Sequence, residues 1–196
     1  MIFKISLDMT LITNRLLLRC REIEDNNMIF SATRHEGFND GMLWDPPKNI
    51  EELIPRVKQA KENWENGKAF QMIITLKDTK ESIGMVSIRI INEESNTWSI
   101  GYFMHPDFQN HGYTKEACTE IVSFGFSKLE AQNIEAQHAL WNKSSGRVLQ
   151  SIGMEFVGYL PKGFLKNGKW IEENKYSITY DHWLINQNIT KKCSCR

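Results

Sequence analysis

The sequence predicts an α/β protein with one mixed, mostly antiparallel sheet of about seven strands and helices on both faces. Three observations predict this class. First, β-patterned segments follow one another between residues 70 and 104 through short polar links, as antiparallel neighbours do. Second, helical and β patterns alternate between residues 114 and 152. Third, Asn167-Gly168 separates two β-patterned segments, which is a strong hairpin signal.

The chain begins with a strand and two helices separated by a loop. Residues 15–21 alternate around a leucine-rich centre and are predicted as a strand. Glu24-Asp25-Asn26 offers the start of a first helix, and the glycines and prolines of residues 35–47 predict a loop. Asn49 is predicted to cap a second helix, which ends at Asn66-Gly67.

Pro55 bears on how the second helix begins. Proline lacks the N–H that a helix interior requires, so either the first turn is irregular or the helix proper starts near Ile54. Three strands are predicted after this helix, over residues 70–76, 82–91 and 97–104.

The second half of the chain alternates helices and strands before it closes in a hairpin. Gly153 is a suitable stop for the second of these helices. The predicted elements are helices over residues 114–129 and 143–152, a strand over 134–140, and hairpin strands over 156–165 and 170–180. We expect a single domain over residues 1–186 and a flexible C-terminal tail over residues 187–196.

Charge, hydropathy and cysteine spacing exclude several classes of function. The 24 basic and 24 acidic residues give zero formal net charge, which argues against a non-specific nucleic-acid binder. Apolar runs stay well short of the roughly 20 residues that span a bilayer. Residues 1–10 lack the apolar core of a signal peptide, so we expect a cytoplasmic protein with no membrane partner. Cys20 and Cys118 are predicted as buried thiols, and the spacing of Cys193-Ser194-Cys195 does not suit zinc, so no metal is expected.

The most informative segment is the turn that joins the strand over residues 97–104 to the next helix. Its residues are Gln109, Asn110, His111, Gly112, Tyr113, Thr114 and Lys115. The first N–H groups of a helix have no partner inside it, and together with the helix dipole they form a site for phosphate or diphosphate. Gly112 allows close approach of such a ligand because it has no Cβ.

A second candidate element follows the next strand. Asn142 is placed to cap a helix with its side-chain oxygen. Ser145 and Arg147 lie in the first turn and a half of that helix, at the same end of the sheet as Gly112. Each of these residues, taken alone, also fits a purely structural or solvated role.

Taken together, these segments resemble the GNAT superfamily of acyl-CoA-dependent N-acyltransferases, and more narrowly its ribosomal-protein N-terminal (Rim-type) branch. The matching segments are residues 14–19, residues 100–117, residues 142–154, and the hairpin that ends in Tyr180-Asp181-His182-Trp183. Three positions depart from the family pattern. Thr114 stands where Gly or Ala is usual, Lys115 where Ser or Thr is frequent, and Ser99 where many relatives carry a glutamate that is a candidate base.

The resemblance implies that acetyl-CoA is the co-substrate and that a primary amine attacks its thioester directly, in a ternary complex. The turn over residues 109–115 would bind the diphosphate, together with Asn142 and Arg147. The strand segment over residues 100–104 would splay from the neighbouring strand over residues 134–140, and backbone groups of Phe103 and Met104 would bind the pantetheine arm in the resulting wedge. Ser145 is the family-matched catalytic residue, which would assist the leaving thiolate.

The pKa of the amine bears on the identity of the acceptor. A lysine ε-amine has a pKa of about 10.4, whereas an α-amine near 7.7–8.0 is roughly 10–15% neutral at pH 7. Because the sequence shows no obvious base, a protein or peptide N-terminus is the expected acceptor. The candidate bases are Glu135, His138 and His105, and each also fits a structural role.

The acceptor site is expected to involve the loop over residues 35–47. The candidates are the acidic Glu36, Asp40 and Asp45, which would attract a cationic amine, and the aromatic Phe38 and Trp44, which would hold an apolar side chain. An ordinary surface loop is the alternative. Two other functions stay open: acetylation of a small amine such as an aminoglycoside, a polyamine or an amino acid, and a non-catalytic acyl-CoA-binding module. The protein is expected to be a monomer or a homodimer.

Overall fold

The structure is a computed structural model that describes residues 4–193, with side chains to residue 188. Eight strands of this described part form one sheet: β1 (Thr10–Ile12), β2 (Leu16–Cys20), β3 (Ala69–Leu76), β4 (Ser82–Asn92), β5 (Thr97–Met104), β6 (Asn133–Ala139), β7 (Glu155–Lys166) and β8 (Lys169–Thr179). Their spatial order is β1-β2-β3-β4-β5-β6-β8-β7. All neighbours are antiparallel except β5 and β6, which run parallel. The mixed, mostly antiparallel sheet is therefore confirmed, with eight strands rather than about seven.

Helices cover both faces of the sheet. They are α1 (Asn26–Ala32), α2 (Ile54–Glu65), α3 (Tyr113–Lys128), α4 (Lys143–Ser151) and α5 (Tyr180–Cys193). Side chains alternate along β3, so Met72 and Ile73 point to opposite faces. Met72 belongs to the main core, which receives side chains from α3 and α4, whereas Ile73 belongs to a smaller core that includes Ile29 of α1.

The start of α2 agrees with one of the two arrangements that the sequence allows. The helix begins at Ile54 with Pro55 in its first turn, after a 3₁₀ turn over Ile50–Leu53. Asn49 caps that turn, because its side-chain oxygen accepts a hydrogen bond from the backbone N–H of Glu52.

The closing hairpin is confirmed. Lys166 pairs with Lys169, which leaves Asn167 and Gly168 as a two-residue turn. Both turn residues have positive φ, 49° and 73° respectively. This is the backbone that the Asn-Gly pair favours, because its twist matches that of the flanking strands.

The sequence does not predict β1 or α5. The helix α5 begins at Tyr180, where the predicted strand ends, and it continues through residues 187–193 of the predicted tail. Two start signals are present: the hydroxyl oxygen of Thr179 accepts a hydrogen bond from the N–H of His182 (3.3 Å), and Asp181 lies in the first turn. Residues 194–196 of the predicted tail lie outside the described residues.

The buried cysteines and the membrane prediction can also be compared with the structure. Cys20 and Cys118 are buried free thiols, as their positions in a strand and a helix suggest. The side chains of Cys193 and Cys195 lie outside the described residues. Within the described chain, no helix has both the length and the hydropathy to cross a membrane.

Candidate functional site

The turn between β5 and α3 is exposed and carries two residues in the left-handed region. Asn110 has a φ of 65° and Gly112 a φ of 77°, and both are exposed together with Gln109 and His111. Gly112 occupies the N-cap of α3, where the described structure contains no side-chain cap. The first N–H groups of α3 are therefore available to an anion that arrives from solvent.

Arg15 holds this turn against the start of β2. One guanidinium nitrogen donates to the carbonyl oxygen of His111 at 2.9 Å, and Nε donates to a carboxylate oxygen of Glu116 at 2.7 Å. The guanidinium also lies over the ring of Tyr113, 4.5 Å from its centroid. Burial favours the neutral form of Glu116, but hydrogen bonds from Thr13 and Arg15 leave its pKa below the ordinary value. Arg15, paired with Glu116, thus fixes the position of the turn beside Gly112, a role that the sequence does not assign to it.

A wedge opens between β5 and β6. The parallel pairing runs only from Thr97 with Asn133 to Ser99 with Glu135. Beyond Ser99, β5 stays paired with β4 as far as Met104, while β6 stays paired with β8 as far as Ala139. The two strands therefore diverge toward their carboxyl ends, as the resemblance implies. Phe103 and Met104 lie on the open side, and the chain leads from the two strand ends into the first turns of α3 and α4.

Ser145 and Tyr102 connect the two sides of this wedge. The phenol oxygen of Tyr102, on β5, is 2.9 Å from Oγ of Ser145 and donates to the Ser145 carbonyl oxygen at 3.1 Å. Burial raises the pKa of Tyr102 well above its ordinary value, so the phenol stays protonated and can donate a hydrogen bond. The sequence does not predict this contact, since 43 residues separate its partners.

The first turn of α4 is organised by Asn142. Its side-chain oxygen accepts hydrogen bonds from the backbone N–H of Ser145 at 3.2 Å and from Oγ of Ser144 at 2.8 Å. This cap was expected, and it fixes Ser145 at the mouth of the wedge. Arg147 is exposed in the same part of the helix. A flexible cation at this position is suited to contact a phosphate outside the wedge.

The opposite face of β5 borders a cavity of about 200 Å³. Phe103 and Trp44 line it, with ring centroids 6.3 Å apart, and Phe38 packs edge-on against Phe103 at 5.5 Å. The predicted aromatic residues are thus brought together. The predicted acidic residues are not: Glu36 is exposed outside the lining, and Asp45 forms an ion pair with Lys166 at 2.6 Å.

Comparison with known proteins identifies the family of this chain. The sequence matches the family described as the acetyltransferase (GNAT) domain over residues 15–155. The chain belongs to the GNAT acetyltransferase family. It is 30% identical to the uncharacterized N-acetyltransferase YnaD of Bacillus subtilis, over 89% of this chain and 99% of that protein. It is also 25% identical to the ribosomal protein uS5-alanine N-acetyltransferase of Escherichia coli, over 71% of this chain and 75% of that enzyme.

The fold agrees with this membership. A GNAT-family acetyltransferase from Bacillus anthracis superposes with a TM-score of 0.78 at 24% identity, over 88% of this chain and 99% of that one. This GNAT protein is an acetyl-CoA-dependent N-acetyltransferase, and its resemblance to the Rim-type branch is confirmed.

The three candidate bases of this GNAT enzyme differ in how fully they are engaged. Glu135 forms an ion pair with Lys175 at 2.7 Å. His138 is buried, with Nδ1 2.8 Å from the carbonyl oxygen of Ala139, while its Nε2 has no hydrogen-bond partner among the described residues. Burial lowers the pKa of His105, which favours a neutral imidazole at pH 7.

One cluster in the described chain has the donor atoms for a metal ion. The ligand atoms of His35, His105 and Asp107 lie within 4.8 Å of one another. Both ring nitrogens of His105 already have protein partners, since Nε2 is 3.2 Å from Oγ of Ser31 and Nδ1 accepts from the N–H of Asp107 at 3.3 Å. We therefore assign no metal to this cluster.

Proposed function

We propose that the protein acetylates the α-amine of a protein or peptide N-terminus by direct attack on acetyl-CoA in a ternary complex. The observation that carries this proposal is the end of the β5–β6 pairing after Ser99 and Glu135. The wedge gives a thioester access to both faces of the sheet, with helix N-termini on one side and the aromatic cavity on the other. The name of the Escherichia coli relative, an alanine N-acetyltransferase of a ribosomal protein, supports this acceptor.

The predicted cofactor residues lie around the exposed turn and the wedge, where the carbonyl oxygen of Met104 already accepts a hydrogen bond from Nε2 of Gln109 at 3.2 Å. The N–H groups that follow Gly112 would bind the diphosphate, with Thr114 and Lys115 adding a hydroxyl and a charge. Backbone groups of Phe103 and Met104 would pair with the pantetheine arm. A backbone N–H there that faces the developing oxyanion would contribute about 3 kcal/mol to transition-state stabilisation. The co-substrate in each of these proposed contacts is acetyl-CoA.

The surroundings of the wedge favour an acceptor that needs little help from a base. The carboxylate of Glu135 is engaged by Lys175, and the lining of the cavity, within the described chain, contains no acidic residue. An α-amine is already partly neutral at pH 7, whereas a lysine ε-amine is almost fully protonated. This difference supports an N-terminal acceptor over a lysine side chain. A cytoplasmic location and a monomeric or homodimeric state stay predictions from the sequence.

The proposal is tested by the release of free thiol from acetyl-CoA in the presence of three acceptor panels. The panels are peptides with a free N-terminus, aminoglycosides and polyamines. We expect the highest kcat/KM with peptides, and no turnover of the same peptides after their N-termini are acetylated. Turnover confined to a small-amine panel would contradict the proposal and favour the alternative acceptor class. Acetyl-CoA binding without thiol release in any panel would favour a non-catalytic module.

Ser145→Ala is expected to lower kcat by about tenfold to a hundredfold, with a smaller change in the KM for acetyl-CoA. The Ser145 hydroxyl is a weaker acid than the thiol, so its role is to donate a hydrogen bond or relay a proton while Tyr102 orients it. Steady-state kinetics with a fixed peptide measures both constants. Ser144→Ala is the matched control, because it removes a neighbouring hydroxyl that bonds only to the cap residue. Unchanged turnover in Ser145→Ala would remove this residue from the mechanism.

A further inference from the structure

The aromatic cavity beside β5 also has a charged wall. Arg21 follows β2, Gln71 lies on β3 and Arg56 lies on α2, and all three line the cavity together with Phe103. Phe103 is on the strand edge that borders the wedge. A group in this cavity is therefore placed on the acceptor side of the reaction, next to two guanidinium groups.

Arg21 is the unusual member of this wall. Arg21 is only 3% exposed, and one of its terminal nitrogens donates a hydrogen bond to the side-chain oxygen of Asn26 at 2.7 Å. Its Nε is buried and has no hydrogen-bond partner among the described residues. Burial and, to a lesser extent, the charge of Arg56 together lower the pKa of Arg21 to about 10, against a smaller opposing effect of Asp25. Within the part of the chain that the structure describes, Arg21 therefore forms no ion pair with an acidic side chain.

The nearby acidic residues are already engaged by other cations. Asp25 accepts two hydrogen bonds from Arg19, at 2.7 Å and 2.8 Å. Glu22 forms an ion pair with Lys61 at 2.6 Å. Arg56 has the face of Trp44 as its partner, 5.3 Å from the ring centroid. A buried charge is costly unless it is paired. The described residues do not supply an anion to the cavity, so an anionic ligand would compensate the charge of Arg21.

We propose that Arg21 and Arg56 bind a carboxylate of the acceptor, so the protein selects N-termini with an acidic side chain close to the α-amine. This inference rests on the proposed function, because it assigns the residues that follow the acetylated amine. The strands β2 and β5 are three spacings apart, about 14 Å. Both arginines line the cavity that Phe103 of β5 also lines, so a carboxylate bound there would lie within the first few residues of an acceptor whose amine is at the wedge. The cavity therefore selects an anionic acceptor, whereas the loop acids Glu36 and Asp45 predicted a cationic one.

The test compares kcat/KM for pairs of peptides that differ only in Asp against Asn, or Glu against Gln, within their first three residues. The same acid and amide pairs are offered as free amino acids. We expect the acidic member to be favoured by about tenfold or more, the range of a charge-assisted hydrogen bond. In Arg56→Gln the ratio of kcat/KM for the acidic peptide to kcat/KM for the amide peptide should fall close to one. In Arg56→Glu the amide peptide should be preferred.

Two further variants distinguish a specific loss of the carboxylate site from the loss of any positive charge on α2 and from a loss of folding. Lys58→Gln removes a cation from the same helix, where the side chain is 82% exposed, and should keep the wild-type ratio. Arg21→Gln should lower the ratio as Arg56→Gln does, provided that its thermal unfolding shows a folded protein. Since Arg56 is exposed, its variants keep the test valid if Arg21→Gln does not fold.

The outcomes distinguish this inference from the proposed function. Equal turnover of acidic and amide peptides overturns the carboxylate site and leaves peptide acetylation standing. A preference for the acidic member that survives in Arg56→Gln and Arg56→Glu also overturns it. Turnover of free amino acids alone, with the acid favoured, supports the site but contradicts the peptide acceptor. An absence of turnover with any amine overturns both.

Discussion

Gly112→Val is expected to raise the Kd for acetyl-CoA by about a hundredfold, which corresponds to about 2.8 kcal/mol. Gly112 has a φ of 77° at the N-cap of α3, a conformation that a β-branched residue adopts only with strain. A Cβ built there would lie 3.5 Å from a guanidinium nitrogen of Arg15, so the added methyl groups would displace either that guanidinium or the ligand. Isothermal titration calorimetry with acetyl-CoA measures the loss.

The strain itself has to be separated from the loss of the anion site. Gly168 has almost the same φ, 73°, but lies in the hairpin turn with no other atom within 4 Å of an added Cβ. We expect Gly168→Val and Gly112→Val both to lower the free energy of unfolding by about 1–3 kcal/mol. Only Gly112→Val should lose affinity for acetyl-CoA. A folded Gly112→Val that binds acetyl-CoA like the wild type would show that this turn does not bind the diphosphate.

The part of the site that we propose to bind acetyl-CoA is predictable from the sequence because it is local. The turn over residues 109–115 and the segment over residues 142–147 are each continuous, and each follows a strand with a clear apolar pattern. Capping preferences act over three or four residues, so Asn142 can be recognised before any tertiary contact is known. The same holds for the Asn167-Gly168 turn.

The acceptor side is not predictable in this way. Arg21 directly follows β2 and Arg56 lies in the first turn of α2, and their shared cavity exists only after α2 packs on the sheet. The sequence instead favoured the loop acids, whose charge is visible but whose partners are not. Asp45 is neutralised by Lys166, which lies 121 residues away in the chain.

The strand β1, which the sequence does not predict, also depends on a neighbouring element. Only three residues form β1, and Leu11 is fixed there by its pairing with Leu18 of β2. So short a strand has little local pattern, and its stability comes from the neighbouring strand and the packing of the sheet. The helix α5 differs, because its start is marked in the sequence by two local signals, a capping residue at Thr179 and an acidic first-turn residue at Asp181.

Gly84→Ala is expected to lower kcat by about a hundredfold through a shift of β5. A Cβ built on Gly84 would lie 2.6 Å from the carbonyl oxygen of Phe103 and 3.2 Å from Cα of Met104. Both contacts are to backbone, so a side-chain rotation cannot relieve them, and β4 must separate from β5. We expect the free energy of unfolding to fall by about 1–3 kcal/mol as well. Chemical denaturation and steady-state kinetics at saturating acetyl-CoA measure the two effects.

Gly101→Ala is the matched control for this shift. Gly101 lies on the same strand, but a Cβ there would meet only Oγ of Ser87 at 3.4 Å, an ordinary contact that a serine side chain can relieve by rotation. Its kcat should stay within about threefold of the wild type, because the backbone of Phe103 and Met104 is not displaced. If Gly84→Ala loses stability but keeps its kcat, the position of β5 against β4 does not set the geometry of acetyl transfer. A loss of kcat in Gly84→Ala but not in Gly101→Ala would instead support the backbone of Phe103 and Met104 as the surface on which the thioester is held.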